Sequence, residues 1–255
     1  MNWSEKVVLI TGASSGIGEA LAVEFGRRGA SVGLLARRAE VLVEVAGKVE
    51  AAGGRAFSVA VDVRDAGEVR AAAAKVSEHF GRIDVLVANA GIGEITLARE
   101  FDIEVVTQVL SVNVLGALNA VAAVLPEMLA RGSGQIVGIS SLAAFRGLPG
   151  SGAYCASKAA LSTFFESLRA ELRPRNIYVT TIHPGFIDTP MTRGRNQTMP
   201  FLQDAGRAAT QMIRAIETRR RTYAFPWQLA TMVRLLKWMP DALYDRLLAK
   251  ATLRE

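Results

Sequence analysis

The sequence predicts an α/β fold built on one doubly wound parallel sheet of about seven strands, with helices on both faces. Short β-branched and apolar runs alternate with amphipathic helical stretches along the chain. The predicted strands are apolar on both faces, a pattern typical of parallel strands buried between two helical layers. The chain has 255 residues, 50% of them hydrophobic, which suits one domain with a substantial core.

The order of these elements supports the fold class. Helical spacing appears at Ile17, Leu21 and Phe25, and the glycines at 29 and 53 predict helix ends. Right-handed crossovers favour a doubly wound sheet, whose ligands bind beyond the carboxyl ends of the strands. We expect a domain over residues 1–225 and a C-terminal helical extension over 226–255. The predicted strands cover residues 7–10, 31–35, 55–61, 85–88, 135–139, 177–183 and 222–225.

Composition limits the classes of function. Cys155 is the single cysteine, and His79 and His183 are the two histidines, so no metal-ligand spacing exists and no metal site is expected. The first residues reach a strand-like run without a long apolar signal region, which favours a cytoplasmic protein. The net charge is +6, and residues 193–255 carry 12 basic against 5 acidic side chains. No nucleic-acid-binding motif accompanies them, so no such partner is expected.

The first predicted strand ends in TGASSGIG, residues 11–18, directly before a predicted helix. Glycines there let the backbone turn tightly and approach a pyrophosphate, whose charge the free amides of a helix start favour. The spacing differs from the common GxGxxG, with three residues between the first two glycines. The position of the loop predicts a dinucleotide site.

The second predicted strand is followed by Arg37 and Arg38, and the next carboxylate is Glu40. A carboxylate at this point would bind the ribose hydroxyls of NAD, whereas arginine suits a 2′-phosphate. The alternative is that the two arginines are ordinary exposed charges at a helix start. The basic pair and the missing acid together favour NADP(H).

The segment GAYCASK, residues 152–158, aligns Tyr154 and Lys158 one helical turn apart on one face. Alone, such a pair also fits an exposed amphipathic face. A free tyrosine has a pKa near 10, and an adjacent cation typically lowers it by about 1 to 3 units. The pair therefore could serve as a usable acid and base.

Taken in order, these motifs resemble those of the short-chain dehydrogenase/reductase family, over about residues 5–192. Further matching positions are Asp62 with Val63, Asn89 to Gly91, Asn113, Ser141, Pro184 with Gly185, and Thr189. The sequence departs from the common motif at Ala88, where an asparagine is usual. The resemblance implies a Rossmann-type fold and hydride transfer between NADP(H) and a carbonyl or alcohol.

The resemblance implies a role for each matching residue. Tyr154 would exchange the proton, Ser141 would hydrogen-bond the reacting oxygen, Lys158 would also hold the nicotinamide ribose, and Asn113 would position a water. Asp62 would contact the adenine, and Ile187 the carboxamide. The implied catalytic residues are Asn113, Ser141, Tyr154 and Lys158. The implied cofactor-binding residues are Gly12, Ser14, Ser15, Gly16, Ile17, Gly18, Arg37, Arg38, Asp62, Val63, Asn89, Ala90, Gly91, Tyr154, Lys158, Pro184, Gly185, Ile187 and Thr189.

Several alternatives remain open at this stage. Ser140 competes with Ser141, because adjacent residues on an extended segment point oppositely. Cys155 and His183 are interpreted as packing residues. A non-catalytic dinucleotide-binding regulatory protein would keep the fold, but the complete catalytic set favours an enzyme. Epimerase or dehydratase relatives usually have longer chains.

Two surfaces suggest partners. Helices near residues 101–129 and 152–172 carry small and apolar residues on more than one face, which suggests a homodimer or homotetramer. The segment 190–205 is expected to fold over the substrate. The extension has a broad apolar surface with interspersed basic residues, so it could be structural, receive hydrophobic substrates at the site mouth, or contact a membrane peripherally.

Overall fold

The computed structural model describes residues 1–193 and 198–252. Its strands are β1 (Val7–Thr11), β2 (Ser31–Ala36), β3 (Arg55–Ala60), β4 (Val85–Ala88), β5 (Gly134–Ile139), β6 (Ile177–Pro184) and β7 (Thr222–Phe225). They form one sheet in the order β3-β2-β1-β4-β5-β6-β7, and all neighbouring pairs are parallel. The predicted α/β fold is confirmed, with every strand bound within one residue of its predicted position.

Helices connect the strands and cover both faces. They are α1 (Gly16–Arg27), α2 (Ala39–Ala51), α3 (Ala66–Phe80), α4 (Ile103–Leu110), α5 (Gly116–Arg131), α6 (Gly152–Leu172), α7 (Ala205–Glu217), α8 (Trp227–Lys237) and α9 (Asp241–Thr252). A π-helical segment, Ser111–Leu115, joins α4 to α5. As predicted, α1 and α2 end two residues before Gly29 and Gly53.

The sheet separates two hydrophobic cores because successive strand residues point to opposite faces. In β1, Val8 and Ile10 enter the core under α1, α2 and α7, while Val7 and Leu9 enter the core under α3, α5 and α6. Ligand sites in such sheets lie where the chain reverses its winding direction. Here that point is between β1 and β4.

One helical stretch among the described residues, Ile103–Arg131, is long and apolar enough to span a bilayer by length and composition. Core helices meet the same criterion. Val109, Val121 and Val124 of this stretch are buried in the protein, which is the arrangement expected of a core helix.

The extension packs against the sheet edge and the loop after β5. Leu229 and Ala230 of α8 form a small apolar cluster with Leu142, and Phe145 and Phe186 pack against it. The helix α8 therefore lies beside the carboxyl ends of β5 and β6.

Candidate active site

The cleft at the carboxyl edge of the sheet has a volume of about 300 Å³. Fifteen of the predicted residues line it: Gly12, Ser14, Ser15, Gly16, Ile17, Arg37, Arg38, Asp62, Val63, Asn89, Ala90, Gly91, Tyr154, Lys158 and Thr189. Six other predicted residues, all within the described chain, do not line it: Gly18, Asn113, Ser141, Pro184, Gly185 and Ile187.

The glycine loop between β1 and α1 forms one wall. Gly12 and Gly16 have φ angles of 67° and 60°, in the left-handed region that favours glycine. Gly12 also packs against the loop after β4, since a Cβ on Gly12 would lie 2.7 Å from the Cα of Ala90. A Cβ on Gly18 would meet the Gly12 carbonyl, so Gly18 supports the turn from behind. The loop thus brings the amides that begin α1 to the cleft.

Asn89 ties the ends of β1 and β4 together. Its backbone N–H donates to Thr11 Oγ1 at 3.0 Å, and its Nδ2 donates to the Thr11 carbonyl at 3.0 Å. Ala90 N also donates to Thr11 Oγ1, at 3.1 Å. These bonds join the two strands between which the chain reverses its winding direction.

A basic rim follows β2. Arg38 Nη2 donates to Ser14 Oγ at 3.0 Å, which joins this rim to the glycine loop. Arg37 is exposed, and its charge helps to lower the pKa of Asp62. The larger cause of that lowered pKa is Arg64, whose Nη2 donates to Asp62 Oδ2 at 2.7 Å. The cleft is thus cationic beside β2 and keeps Asp62 ionised.

Tyr154 and Lys158 lie on one face of α6, with the Lys158 Nζ 5.7 Å from the centre of the Tyr154 ring. Lys158 is 4% exposed, and its Nζ donates to the Ile139 carbonyl at 2.9 Å. Burial lowers the pKa of Lys158 to about 8, because leaving water disfavours the ammonium form. The phenol and the amine thus share one end of the cleft.

Asn113 is fully buried in the π-helical segment. Its Oδ1 accepts from Ile92 N at 2.7 Å, and its Nδ2 donates to the Ile92 carbonyl and to Ser157 Oγ, each at 2.9 Å. A Cβ on Gly91 would lie 3.3 Å from both Asn113 Oδ1 and Lys158 Nζ, so the three residues meet. Both amide protons of Asn113 already have acceptors. A water bound beside this side chain would therefore have to donate a hydrogen bond to an oxygen rather than accept one from the amide.

The two neighbouring serines differ in their partners. Ser140 lines the cleft, but its hydroxyl donates to the Lys158 carbonyl at 2.9 Å and pairs with Ser162 Oγ at 2.8 Å. Ser141 Oγ accepts from Ala143 N at 3.1 Å, which leaves its own proton to donate. The hydroxyl partners favour Ser141 as a hydrogen-bond donor, whereas the lining of the cleft includes Ser140 and not Ser141.

The segment after β6 turns along α8. Gly185 N donates to the Phe225 carbonyl at 2.7 Å, and a Cβ on Gly185 would lie 3.0 Å from Leu229. Ile187 is 3% exposed and its carbonyl accepts from Thr192 Oγ1 at 2.6 Å. Thr189 faces Gly16, since a Cβ there would lie 3.2 Å from the Thr189 Cβ.

Sequence reasoning missed several residues that line the cleft: Ala36, Val61, Ile92, Val112, Ile139, Pro190 and Met191. Pro190 and Met191 begin the segment predicted to fold over the substrate, of which residues 194–197 lie outside the described chain. The others are ordinary apolar residues: Val112 adjoins Asn113, and only a position at or just after a strand end could have indicated Ala36, Val61, Ile92 and Ile139.

Cys155 and His183 are both buried, at 5% and 4% exposure. Burial raises the pKa of the Cys155 thiol and lowers that of His183 to about 4. His183 Nε2 pairs with Ser162 Oγ at 3.1 Å. In the described chain neither side chain lines the cleft, which agrees with a packing role.

Comparison with known proteins supplies the family. The model of the short chain dehydrogenase family matches residues 6–200. An uncharacterized oxidoreductase of Myxococcus xanthus is 42% identical over 95% of this chain and 96% of its own length. The 2-(R)-hydroxypropyl-CoM dehydrogenase of Xanthobacter autotrophicus is 41% identical over 78% of this chain and 81% of its own length.

A solved structure agrees with these relatives. The short chain dehydrogenase/reductase of Burkholderia phymatum in complex with NAD has a TM-score of 0.84 and 28% identity, and the match covers 92% of this chain and 94% of that one. The resemblance carried by the glycine loop and the Tyr154–Lys158 pair is therefore confirmed. The chain belongs to the short-chain dehydrogenase/reductase family of oxidoreductases.

Proposed function

We propose that this chain is an NADP(H)-dependent oxidoreductase that interconverts a carbonyl and an alcohol, with Tyr154 as acid and base. The observation that carries the proposal is the pair in the cleft, the buried Lys158 amine 5.7 Å from the Tyr154 ring centre. A positive charge beside a phenol stabilises the phenolate that remains after proton donation. The pair thus supports proton transfer at neutral pH.

The cleft residues fit a nicotinamide dinucleotide. The left-handed turns at Gly12 and Gly16 bring helix-start amides to one wall, where they can bind a pyrophosphate. Gly91 leaves room beside Lys158, because a Cβ there would lie 3.3 Å from Nζ. When bound, the cofactor would supply a hydride in reduction and accept one in oxidation.

The chain's own residues exchange a proton with the reacting oxygen and hydrogen-bond it. In the reducing direction Tyr154 donates its phenolic proton to the carbonyl oxygen, and in oxidation the phenolate takes the alcohol proton. Ser141, with its proton left to donate, hydrogen-bonds the same oxygen. Asn113 braces the loop at Ile92 and α6 at Ser157, so the amine of Lys158 keeps its place beside Gly91. These are orienting and proton-transfer roles.

The preference for NADP(H) over NAD(H) follows from the basic rim. Arg38 reaches the glycine loop through Ser14 at 3.0 Å, and Arg37 is exposed beside it. Glu40 is the first carboxylate after β2, so the two residues that directly follow the strand are basic rather than an acid that would bind the ribose hydroxyls. The Burkholderia phymatum relative is described with NAD. The arginines of this chain are the reason to expect a 2′-phosphate here.

A hydrophobic substrate is proposed from the apolar side chains near the mouth. Met191 lines the cleft and is 38% exposed. Phe145 and Phe186 pack against α8 beside the ends of β5 and β6. By its name, the Xanthobacter autotrophicus relative acts on a hydroxypropyl group, which supports an alcohol or ketone as the reacting group in this chain.

We further propose a cytoplasmic homodimer or homotetramer with peripheral membrane contact through the extension. Exposed apolar residues on α4–α6 include Ile103, Leu115 and Phe164, which support pairing of subunits. At the two ends of α8, Trp227 and Trp238, the residue just after the helix, are 72% and 84% exposed, which suits the interface of a bilayer.

The proposed reaction is tested with the purified chain. NADPH oxidation is measured over ketones, aldehydes, 3-oxoacyl thioesters and steroids, with NADH as the control cofactor. We expect turnover of at least one apolar carbonyl compound and a higher kcat/KM with NADPH. Cofactor binding without turnover of any carbonyl or alcohol would instead support the non-catalytic alternative.

A further inference from the structure

The loop that joins β5 to α6 connects two of the proposed catalytic residues, Ser141 at its start and Tyr154 just after its end. Its far end is fixed to the loop after β4, because Thr96 N donates to the Gly150 carbonyl at 2.8 Å and Ala153 N donates to Thr96 Oγ1 at 3.3 Å. Tyr154 is therefore held by contacts within the Rossmann-type core. The middle of the loop, at Arg146 and Gly147, has a different support.

Arg146 attaches the middle of the loop to the end of α8. Its Nη1 donates to the carbonyls of Leu236, Lys237 and Met239, at 2.6, 3.2 and 2.7 Å. The last carbonyls of a helix lack partners within the helix and carry partial negative charge, so a guanidinium is a favourable cap. The Arg146 side chain is only 15% exposed. The cap is therefore largely shielded from water, unlike a chance surface contact.

Tyr244 of α9 completes the attachment. The Arg146 guanidinium carbon lies 3.9 Å from the centre of the Tyr244 ring, within the range of a cation–π interaction. Tyr244 Oη donates to the Gly147 carbonyl at 2.6 Å. Asp241 also accepts from Arg146 Nη2, at 2.7 Å, but its side chain is 95% exposed. Water screens that ion pair, so the carbonyls and the ring supply most of the attachment.

We infer that Arg146 is a positioning residue: by fixing the loop to α8 and α9, it sets the place of Ser141 relative to Tyr154. Ser141 lies at the near end of the loop, and its hydroxyl bonds to the loop's own backbone at Ala143 N. Displacement of the loop therefore displaces that hydroxyl. Tyr154 keeps its separate support at Thr96. The inference rests on the proposed function, in which Ser141 binds the reacting oxygen.

The test is a double-mutant cycle between Arg146→Ala and Ser141→Ala, which measures whether two residues act through one another. The substrate is the carbonyl compound with the highest turnover in the panel. We expect Arg146→Ala to lower kcat by about tenfold, the scale of a modest misplacement of a catalytic group, with the Kd of NADPH unchanged. In the Ser141→Ala background the same change should lower kcat less than about twofold.

A matched control separates positioning from general stability. Arg131 is also a well-bonded arginine, with Nη2 donating to the Ile83 carbonyl at 2.8 Å and Nη1 to Glu127 at 3.1 Å. It lies at the opposite edge of the sheet, where α5 ends before β5 begins. Arg131→Ala should lower Tm but leave kcat at 25 °C unchanged. Arg146→Lys, which keeps the charge but loses the planar fork, should restore part of kcat.

Two results would overturn the positioning role of Arg146. One is an equal loss of kcat from Arg146→Ala in both backgrounds, and the other is a lower Tm with unchanged kcat. Should Arg146→Ala not fold, Tyr244→Phe removes only the bond to Gly147 and should show the same background-dependent loss at smaller size; no loss there overturns the inference. Wild-type kcat in Ser141→Ala itself would instead refute the proposed role of Ser141, and the inference with it.

Discussion

Lys158 provides a stability experiment that needs no substrate. Burial lowers its pKa from the ordinary 10.5 to about 8, so the folded protein binds this proton more weakly than the unfolded chain does. At about 1.4 kcal/mol for each pH unit, the difference corresponds to a cost of about 3 kcal/mol. Because the unfolded chain binds this proton more tightly, the free energy of unfolding rises with pH wherever the folded state has already released it. The cost is fully present below about pH 8 and disappears as the pH rises toward 10.5.

The variant Lys158→Met removes the titrating group and keeps much of the side-chain volume. Between pH 7 and pH 9 the wild type should gain about 1 kcal/mol of unfolding free energy relative to the variant. The lost hydrogen bond to Ile139 lowers the variant's stability by a similar amount at each pH, because a neutral amine also donates. The pH dependence of the difference is therefore the informative quantity.

Urea unfolding at pH 7, 8 and 9 measures that difference for the cofactor-free proteins. Lys75→Met is the matched control, since Lys75 is exposed and its ammonium stays in water in both states. A wild-type minus Lys158→Met difference that stays constant from pH 7 to pH 9 would refute the claim that the Lys158 amine is desolvated in the cleft.

Three further predictions concern partners. Arg38→Ala should raise the Kd of NADPH about tenfold and leave the Kd of NADH unchanged. Tenfold is the size of a charge-assisted hydrogen bond discounted for exposure. Equal effects on both Kd values would refute binding of the 2′-phosphate by Arg38. Light scattering at micromolar concentration should show a dimer or tetramer, and a monomer alone would contradict it. Trp227→Ser combined with Trp238→Ser should reduce sedimentation with anionic vesicles. Ile95 is also apolar and is 67% exposed, so Ile95→Ser is the control and should leave sedimentation unchanged. Unchanged sedimentation of the double tryptophan variant would rule out the membrane contact.

Local patterns in the sequence determined the sheet, because strands buried on both faces must be apolar throughout and their ends carry glycine or polar residues. The strand β6 ends at Pro184, one residue beyond the predicted end at His183, because Pro184 pairs with Phe225 of β7. That pairing involves residues about forty positions apart, which no local pattern reveals.

The candidate site was predictable to the extent that motifs encode it. The glycine loop and the Tyr154–Lys158 pair each lie within a few residues of sequence. The attachment of Arg146 to Leu236 and Tyr244 joins residues at least ninety positions apart, and neither end has a sequence signature. Likewise the packing of Gly185 against Leu229 of α8 depends on the three-dimensional arrangement of the extension, which no local pattern discloses.

In the proposed reaction Tyr154 exchanges the proton with the reacting oxygen of a carbonyl compound. Tyr154→Phe keeps the ring and removes the hydroxyl, and Tyr178→Phe, in β6, is the matched control. Reduction of the best carbonyl substrate by NADPH is measured together with the Kd of NADPH. We predict that Tyr154→Phe lowers kcat by about 10²- to 10⁴-fold with the Kd nearly unchanged, while Tyr178→Phe behaves as wild type. Near-normal kcat in Tyr154→Phe would contradict the role of Tyr154 as proton donor.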